Sequence, residues 1–236
     1  SMENKFPTPC LGESCGECGF RSTVFNCLSG DQLELLSKGK DLLKAKKGSI
    51  IIKQGDKVKD FIFLRVGLAK LTRVSLEGKE QLVGIARPKD FVGLLSLFSS
   101  PIHQYSITAL EDSEFCVVEF DLINNLVKES GQFAFSLLQK ISQFSDMLLS
   151  TKLDIDNRQL RGRIAFILSL FSKDVYESTT FNLPISRKEI GELIDMRVEN
   201  VVRILSEFRK DKIISIEGTT IEILQPDKLE WIKNHG

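Results

Sequence analysis

The sequence has no excess of either charge, no apolar run that could cross a bilayer, and almost no histidine. Lys+Arg and Asp+Glu each number 32 in 236 residues, so the formal net charge is zero. A polyanion therefore meets no global positive field, and any nucleic-acid site has to be a local patch. No stretch approaches the roughly 18–20 apolar residues that span a membrane. The opening "SMENKFPTPC" lacks the basic start and apolar stretch of a secretion signal. These absences point to a cytoplasmic protein with no membrane partner, in a compartment where thiols stay reduced. The two histidines, His103 and His235, read as solvated residues in a loop and near the chain end, and offer no metal pair. No Gly-rich phosphate loop, paired-carboxylate site or Ser/His/Asp set stands out, so nothing points to an enzyme. Asp154 and Asp156 flank a helix end, where a hinge or cap role suits them better than catalysis.

Cysteine is scarce too, but unevenly spread. "PCLGESCGECGFRSTVFNC" holds Cys10, Cys15, Cys18 and Cys27, and only Cys116 lies elsewhere. An odd count in a reducing compartment argues against a disulfide framework. A zinc site of Cys10, Cys15, Cys18 and Cys27, a Cys15–Cys18 thiol switch, and a small-residue role with Cys116 in the core all stay open. The rest of the composition, 42% hydrophobic and 27% charged, is that of a globular chain with room for one large or two modest domains.

Along the chain, "SGDQLELLSKGKDLLKAKK" reads as a short amphipathic helix capped by Ser29 or Asp31, with Leu33, Leu36 and Leu43 on its apolar side. From Ser49 the period shortens into β-rich runs broken at Gly55-Asp56, Gly67, Glu77-Gly78 and Pro88-Lys89-Asp90, the spacing of a jelly roll or barrel. "GQFAFSLLQKISQFSDMLLSTKLDI" has no Gly or Pro after Gly131 and reads as one long helix. Ala134, Leu137, Ile141, Phe144, Leu148, Thr151 and Ile155 recur three and four apart, as in a coiled-coil seam. Phe135, Leu138 and Met147 broaden the stripe, so the helix is expected to touch both the roll and a second copy. Leu137, Ile141, Phe144 and Leu148 form the expected dimer seam.

After Asp156, "NRQLRGRIAFILSLFSK" is helical, and "LPISRKEIGELIDMRVENVVRILSEFRKDKIISIEGTTIEIL" sets two helices almost back to back. Ser186 with Glu189 makes a capping box for the first. "DMR" leaves room for a tight turn only. Two β-runs then meet at Glu217-Gly218. Helix, turn, helix and hairpin make a winged helix-turn-helix. Its second helix presents Arg197, Glu199, Asn200, Arg203, Arg209 and Lys210 outward. Glu199 and Arg203, one turn apart, suit cytosine N4 and guanine O6/N7 in the major groove of double-stranded DNA. Arg197, Asn200, Arg209 and Lys210 suit the phosphate backbone.

This arrangement resembles the Crp/Fnr family of bacterial transcription regulators along nearly the whole chain. The resemblance rests on "ISRKEIGELIDMRVENVVRILSEFRKDKII" with its Glu199-x-x-x-Arg203 spacing, on "QLRGRIAFILSLFSK", on the β-segment and on the long helix. It implies an α+β chain in four parts: a cysteine segment 1–28, a cyclic-nucleotide-binding-like β-roll 29–128, a dimerisation helix 129–156 and a winged helix-turn-helix 157–236. It also implies a homodimer on a palindromic operator and RNA polymerase as a partner. Val202 stands where Fnr-type members carry Ser; it can touch a thymine methyl but cannot donate a hydrogen bond.

Members that bind cyclic AMP carry G-E-L and R-S or R-T segments. Here Gly93 and Ser106 remain, but Leu94 and Tyr105 replace the Glu and Arg, and a buried phosphate without its Arg is poorly compensated. Cyclic AMP is therefore not the expected ligand of this effector pocket. Fnr-type sensors hold an iron–sulfur cluster, which the resemblance places on Cys15, Cys18 and Cys116, completed by Cys10 or Cys27. Cys27 lies further from the C-x-x-C pair than the third ligand of that family. A thiol oxidoreductase would need a βαβ unit after Cys18, which the sequence lacks, and a cyclic-nucleotide-binding regulatory subunit would not need the helix-turn-helix.

Overall fold

The computed structural model describes the backbone of Thr8–Pro9 and residues 24–236 in full. The chain divides into two compact units, the second running Asp146–Gly236.

In the first unit, α1 (Gly30–Lys38) starts at Ser29. The Ser29 hydroxyl accepts from the Gln32 N–H, and the Gln32 side chain accepts from the Ser29 N–H at 3.1 Å. The helix stops at Gly39, earlier than expected. Leu43 belongs instead to a strand, Lys40–Ala45, because six residues there pair with Ser113–Val118 and this ladder outweighs local helical preference. Among the described residues nine strands form the roll: β1 (Thr8–Pro9), β2 (Lys40–Ala45), β3 (Ile50–Ile52), β4 (Asp60–Val66), β5 (Ala69–Val74), β6 (Glu80–Ala86), β7 (Phe91–Val92), β8 (Ser106–Ala109) and β9 (Ser113–Glu119). One antiparallel sheet has the order β1-β2-β9-β4-β7 and the other β3-β8-β5-β6. The expected turns are all left-handed points of the backbone, with φ of 92° at Gly55, 94° at Gly67, 77° at Gly78 and 79° at Lys89. At Gly67 a side chain is excluded twice over, since a Cβ would also collide with Ser113.

Strand alternation divides the core in two. On β4 and β9, Ile62, Leu64 and Phe115 face Ile52, Ala69, Ile107 and Ala109 between the sheets. Their neighbours Phe61, Phe63, Cys116 and Val118 point the other way, to an apolar layer that also holds Phe25, Leu36, Ile123, Leu126, Phe133 and Leu137. The helices of that layer are α1, α3 (Phe120–Glu129) and the start of α4 (Gly131–Asp156); a short α2 (Leu94–Leu97) follows β7. Phe25 lies edge-on to Phe61 at 6.0 Å and 5.6 Å from Phe133, pinning the chain just before Cys27 onto the sheet.

The long helix is present, but the first half of its expected seam packs on the chain's own roll. Leu137 is 2% exposed inside its own roll, and Ile141 packs against the same layer. Phe144 and Leu148 are half-buried. The apolar side chains left open are Phe135, Leu138, Met147, Leu149 and Leu153. A seven-residue repeat cannot say which of two apolar stripes meets the chain's own core; the roll claimed Leu137 and Ile141 of the one expected for the partner.

In the second unit, α5 (Leu160–Ser169) runs into a π-helical turn (Leu170–Val175). Then come β10 (Thr180–Asn182), α6 (Arg187–Leu193), α7 (Val198–Lys210), β11 (Ile214–Glu217), β12 (Thr220–Ile223) and α8 (Pro226–His235). The sheet order β10-β12-β11 adds a strand to the expected hairpin, whose tip is the Glu217↔Thr220 pair with Gly218 at φ 61°. Pro226 at the first turn and Asp227 beside it are ordinary start signals for α8, and Leu229 and Ile232 are its buried side. Among the described residues, no helix is long and apolar enough to cross a membrane.

Candidate nucleic-acid interface

The helix-turn-helix is built from local chemistry. At Ser186 the capping box closes as expected: the Glu189 carboxylate accepts from the Ser186 N–H at 2.8 Å, and the Ser186 hydroxyl accepts from the Glu189 N–H at 3.2 Å. After α6 the chain reverses through Asp195 at φ 51°, and the Met196 N–H returns to the Gly191 carbonyl at 2.8 Å. A Cβ on Gly191 would strike that Met196 carbonyl, so only glycine lets the turn close so near α6. Val201, Ile204, Leu205 and Phe208 bury the inner side of α7 completely or nearly so. The opposite side consists of Glu199, Val202, Arg203, Ser206 and Lys210, all exposed, at three- and four-residue steps.

Of the residues expected to meet DNA, Arg197 is the extended N-cap of α7 and bears no side-chain cap bond. Val202 is 48% exposed, an apolar side chain on an otherwise polar face. The Arg203 guanidinium faces outward beside Asn200, 3.4 Å from its side-chain oxygen, and is paired with Glu207. Arg209 and Lys210 end the helix in solvent.

Sequence reasoning missed the clamp behind the turn. Arg163 of α5 donates to the carbonyls of Ile194 (3.1 Å) and Asp195 (2.9 Å) in the turn and of Arg158 (3.0 Å) and Asp156 (3.4 Å) before α5. Lys152 of α4 adds an ion pair to Asp195 at 3.9 Å. One guanidinium thus ties the turn to the end of the long helix. No motif announces it, because four unrelated carbonyls meet only in the folded chain.

The roll residues named for an effector lie in different surroundings. Gly93 starts α2 at φ 79°, with Ile52 and the His103 ring against the position a Cβ would take. Leu94, 5% exposed, is part of the apolar layer under the helices and serves the core rather than a pocket. The Ser106 hydroxyl accepts from the Gln54 N–H at 2.9 Å, and the Arg73 guanidinium lies 5.7 Å from the Tyr105 ring. His103 is a correction: it is 6% exposed, not solvated, and its Nδ1 has no hydrogen-bond partner. Its backbone is held on both sides, donating to the Asp56 carbonyl and accepting from the Gly55 N–H, both at 2.8 Å. Burial holds its pKa below the ordinary 6.5, with Asp56 opposing.

Cys10, Cys15 and Cys18 lie outside the described residues. Cys116 is 4% exposed within the layer around Phe25, and half-buried Cys27 borders the same layer. The Cys27 thiol donates to the Val24 carbonyl and accepts from the Ser136 hydroxyl of α4 at 3.7 Å. Among the described residues no three His, Cys, Asp or Glu side chains gather as a metal set.

Comparison with known proteins agrees with this geometry. Residues 42–130 match the model of the cyclic nucleotide-binding domain, and residues 162–232 match that of the Crp-like helix-turn-helix domain. A Rhizobium leguminosarum protein named "Probable transcriptional activator" is 30% identical, over 91% of this chain and 90% of its own. The chain belongs to the Crp/Fnr family of transcription regulators. The transcriptional activator protein Anr of Pseudomonas protegens is 29% identical over 83% of this chain and 80% of its own. The fumarate and nitrate reduction regulatory protein of Yersinia pestis is 27% identical over 82% and 78%. A Crp/Fnr-family regulator from Eubacterium rectale superposes with a TM-score of 0.76, covering 89% of this chain and 97% of that one at 19% identity. In this Crp/Fnr regulator, then, the β-roll is the cyclic-nucleotide-binding-like domain and α6–α7 the DNA-binding helix-turn-helix.

Proposed function

We propose that this Crp/Fnr regulator binds a palindromic operator as a homodimer, each α7 reading one half-site, with DNA affinity set by a signal received in the N-terminal part. The observation that carries this reading is α7 itself. Its inner face is sealed in the core, while Glu199, Val202 and Arg203 are exposed together in the pattern that reads base edges. Glu199 and Arg203 take opposite bases of one G·C pair in a TGA-like half-site. Arg197, Asn200, Arg209 and Lys210 hold phosphates. RNA polymerase is the partner that family membership suggests.

The second copy is seated on the open stripe of α4, Phe135, Leu138, Leu149 and Leu153, in place of the seam through Leu137 and Ile141. Cyclic AMP is not the signal: Leu94 is spent on the core, and Tyr105 stands where a phosphate would need an arginine. The signal is redox. Val24, Phe25 and Leu28, which follow the Cys15–Cys18 pair in sequence, pack in the layer that contains Cys116 and borders Cys27. The two described thiols suit an iron–sulfur cluster chemically. Cys15, Cys18 and Cys116, with Cys10 or Cys27, would hold it, and a bound cluster would supply sensitivity to oxidants.

Two measurements test the reading. Selection of duplexes from a random pool should return inverted repeats with one protected half-site per α7. Binding as a monomer to a single half-site would overturn the dimer. Anaerobic purification followed by an absorption spectrum and iron, sulfide and zinc analysis tests the signal. A colourless, metal-free anaerobic protein removes the cluster and zinc together.

A further inference from the structure

Arg203 does not stand alone on the outer face of α7. Its Nη1 is paired with one oxygen of Glu207, a turn further along the helix. The other oxygen of Glu207 accepts from Arg161 Nη1 at 2.7 Å, across from α5. Arg161 is itself fastened: its guanidinium lies 5.0 Å from the ring of the fully buried Phe208, and its Nη2 is 3.5 Å from the Asp211 carboxylate. The Arg203 side chain is 54% exposed, against 35% for Glu207 and 40% for Arg161. The chain Phe208–Arg161–Glu207–Arg203 therefore runs from the core of the second unit to the tip that meets the groove.

We propose that Glu207, held by Arg161, is a positioning residue that aims the Arg203 guanidinium at a base and penalises its use on phosphate. The inference rests on Arg203 reading a base. An exposed arginine has about 2 kcal/mol of rotamer freedom to lose on binding. A carboxylate gripping one Nη removes part of that loss beforehand, and the long donation of Nη2 to Asn200 Oδ1 at 3.4 Å holds the other arm of a guanidinium whose side chain stays 54% exposed. The same carboxylate places a negative charge behind the guanidinium, which weakens non-specific attraction to the backbone. A phosphate can also accept from both arms of the fork, but a guanine O6/N7 edge occupies one fixed position in the groove, so a guanidinium held in place favours the base. A simple helix-stabilising pair would need neither the second oxygen of Glu207 nor the anchor on α5.

The test uses the full chain and three duplexes: one selected from a random pool by the protein, the same duplex with the G·C pair assigned to Arg203 changed to A·T, and an unrelated sequence. Affinities are measured for the wild type, Glu207→Gln, Arg203→Ala and the double variant, with thermal melting of each. Glu207→Gln should melt like the wild type, bind the unrelated duplex severalfold more tightly, and lose about tenfold in discrimination between G·C and A·T. In the Arg203→Ala background the same change should leave discrimination untouched. Unaltered discrimination in Glu207→Gln, or an equal loss with and without Arg203, overturns the positioning role while base reading stands. Full discrimination in Arg203→Ala overturns base reading itself.

Discussion

Leu149→Ser tests which face of α4 receives the second copy. Leu149 is 61% exposed, and Phe135, Leu138 and Leu153 on the open stripe are 59%, 57% and 53% exposed. Full burial of such a side chain contributes about 1.5–3 kcal/mol, so the remaining half or more is worth about 1–1.5 kcal/mol per copy. A symmetric dimer carries the change twice, which gives about 2–3 kcal/mol and a dimer roughly 30- to 150-fold weaker. The folded monomer should melt unchanged, because the side chain adds little to its own core. Leu137→Ala should do the reverse. At 2% exposure within the roll it loses about 2–5 kcal/mol of stability from a cavity, with no direct cost to association. Sedimentation equilibrium over a range of concentrations, paired with thermal melts, separates the two. A Leu149→Ser protein that dimerises as tightly as the wild type would refute the assignment of the stripe.

Glu199→Ala and Arg203→Ala should each cost about 1–3 kcal/mol at a selected operator while barely altering binding to unrelated DNA, as titration against both duplexes will show. Gly191→Ala should open the turn, since its Cβ collides with the Met196 carbonyl; about 2 kcal/mol or more of stability and most DNA binding should go together, and a wild-type melt would contradict the packing. Arg163→Met keeps most of the side-chain length but strips the donors from four carbonyls, so operator affinity should fall more than stability, measured by the same titration and melt. For His103, the folded pKa lies below the unfolded 6.5, so the unfolded chain takes up the proton first. Its contribution to stability is present above about pH 6.5 and is lost as pH falls through the folded value; denaturation at pH 8 and pH 5 should show a smaller acid loss in His103→Gln, and identical losses would refute it.

Much of the helix-turn-helix was legible because its signals are local. Ser186 and Glu189 cap within one turn, Gly191 and the short "DMR" permit one kind of reversal, and Glu199 and Arg203 share a face by spacing alone. The turns at Gly55, Gly67 and Gly78 follow from left-handed backbone that glycine adopts at little cost. What failed was local reasoning applied to partners far along the chain. Leu43 reads as helical until Phe115 pairs with it in a ladder. His103 reads as a loop residue until its ring is buried beside Gly93.

By itself, the sequence determined the kinds of element and the chemistry each carries: a roll, a long helix, and a helix-turn-helix with an acid and an arginine one turn apart. Periodicity and capping act over a few residues, so they are written where they are used. Long-range packing selects which apolar side chains of α4 the roll covers and which it leaves open, and sets Arg161 and Glu207 behind Arg203. Those choices depend on residues dozens of positions apart meeting in space, where burial and carbonyl or carboxylate geometry, not spacing, select the outcome.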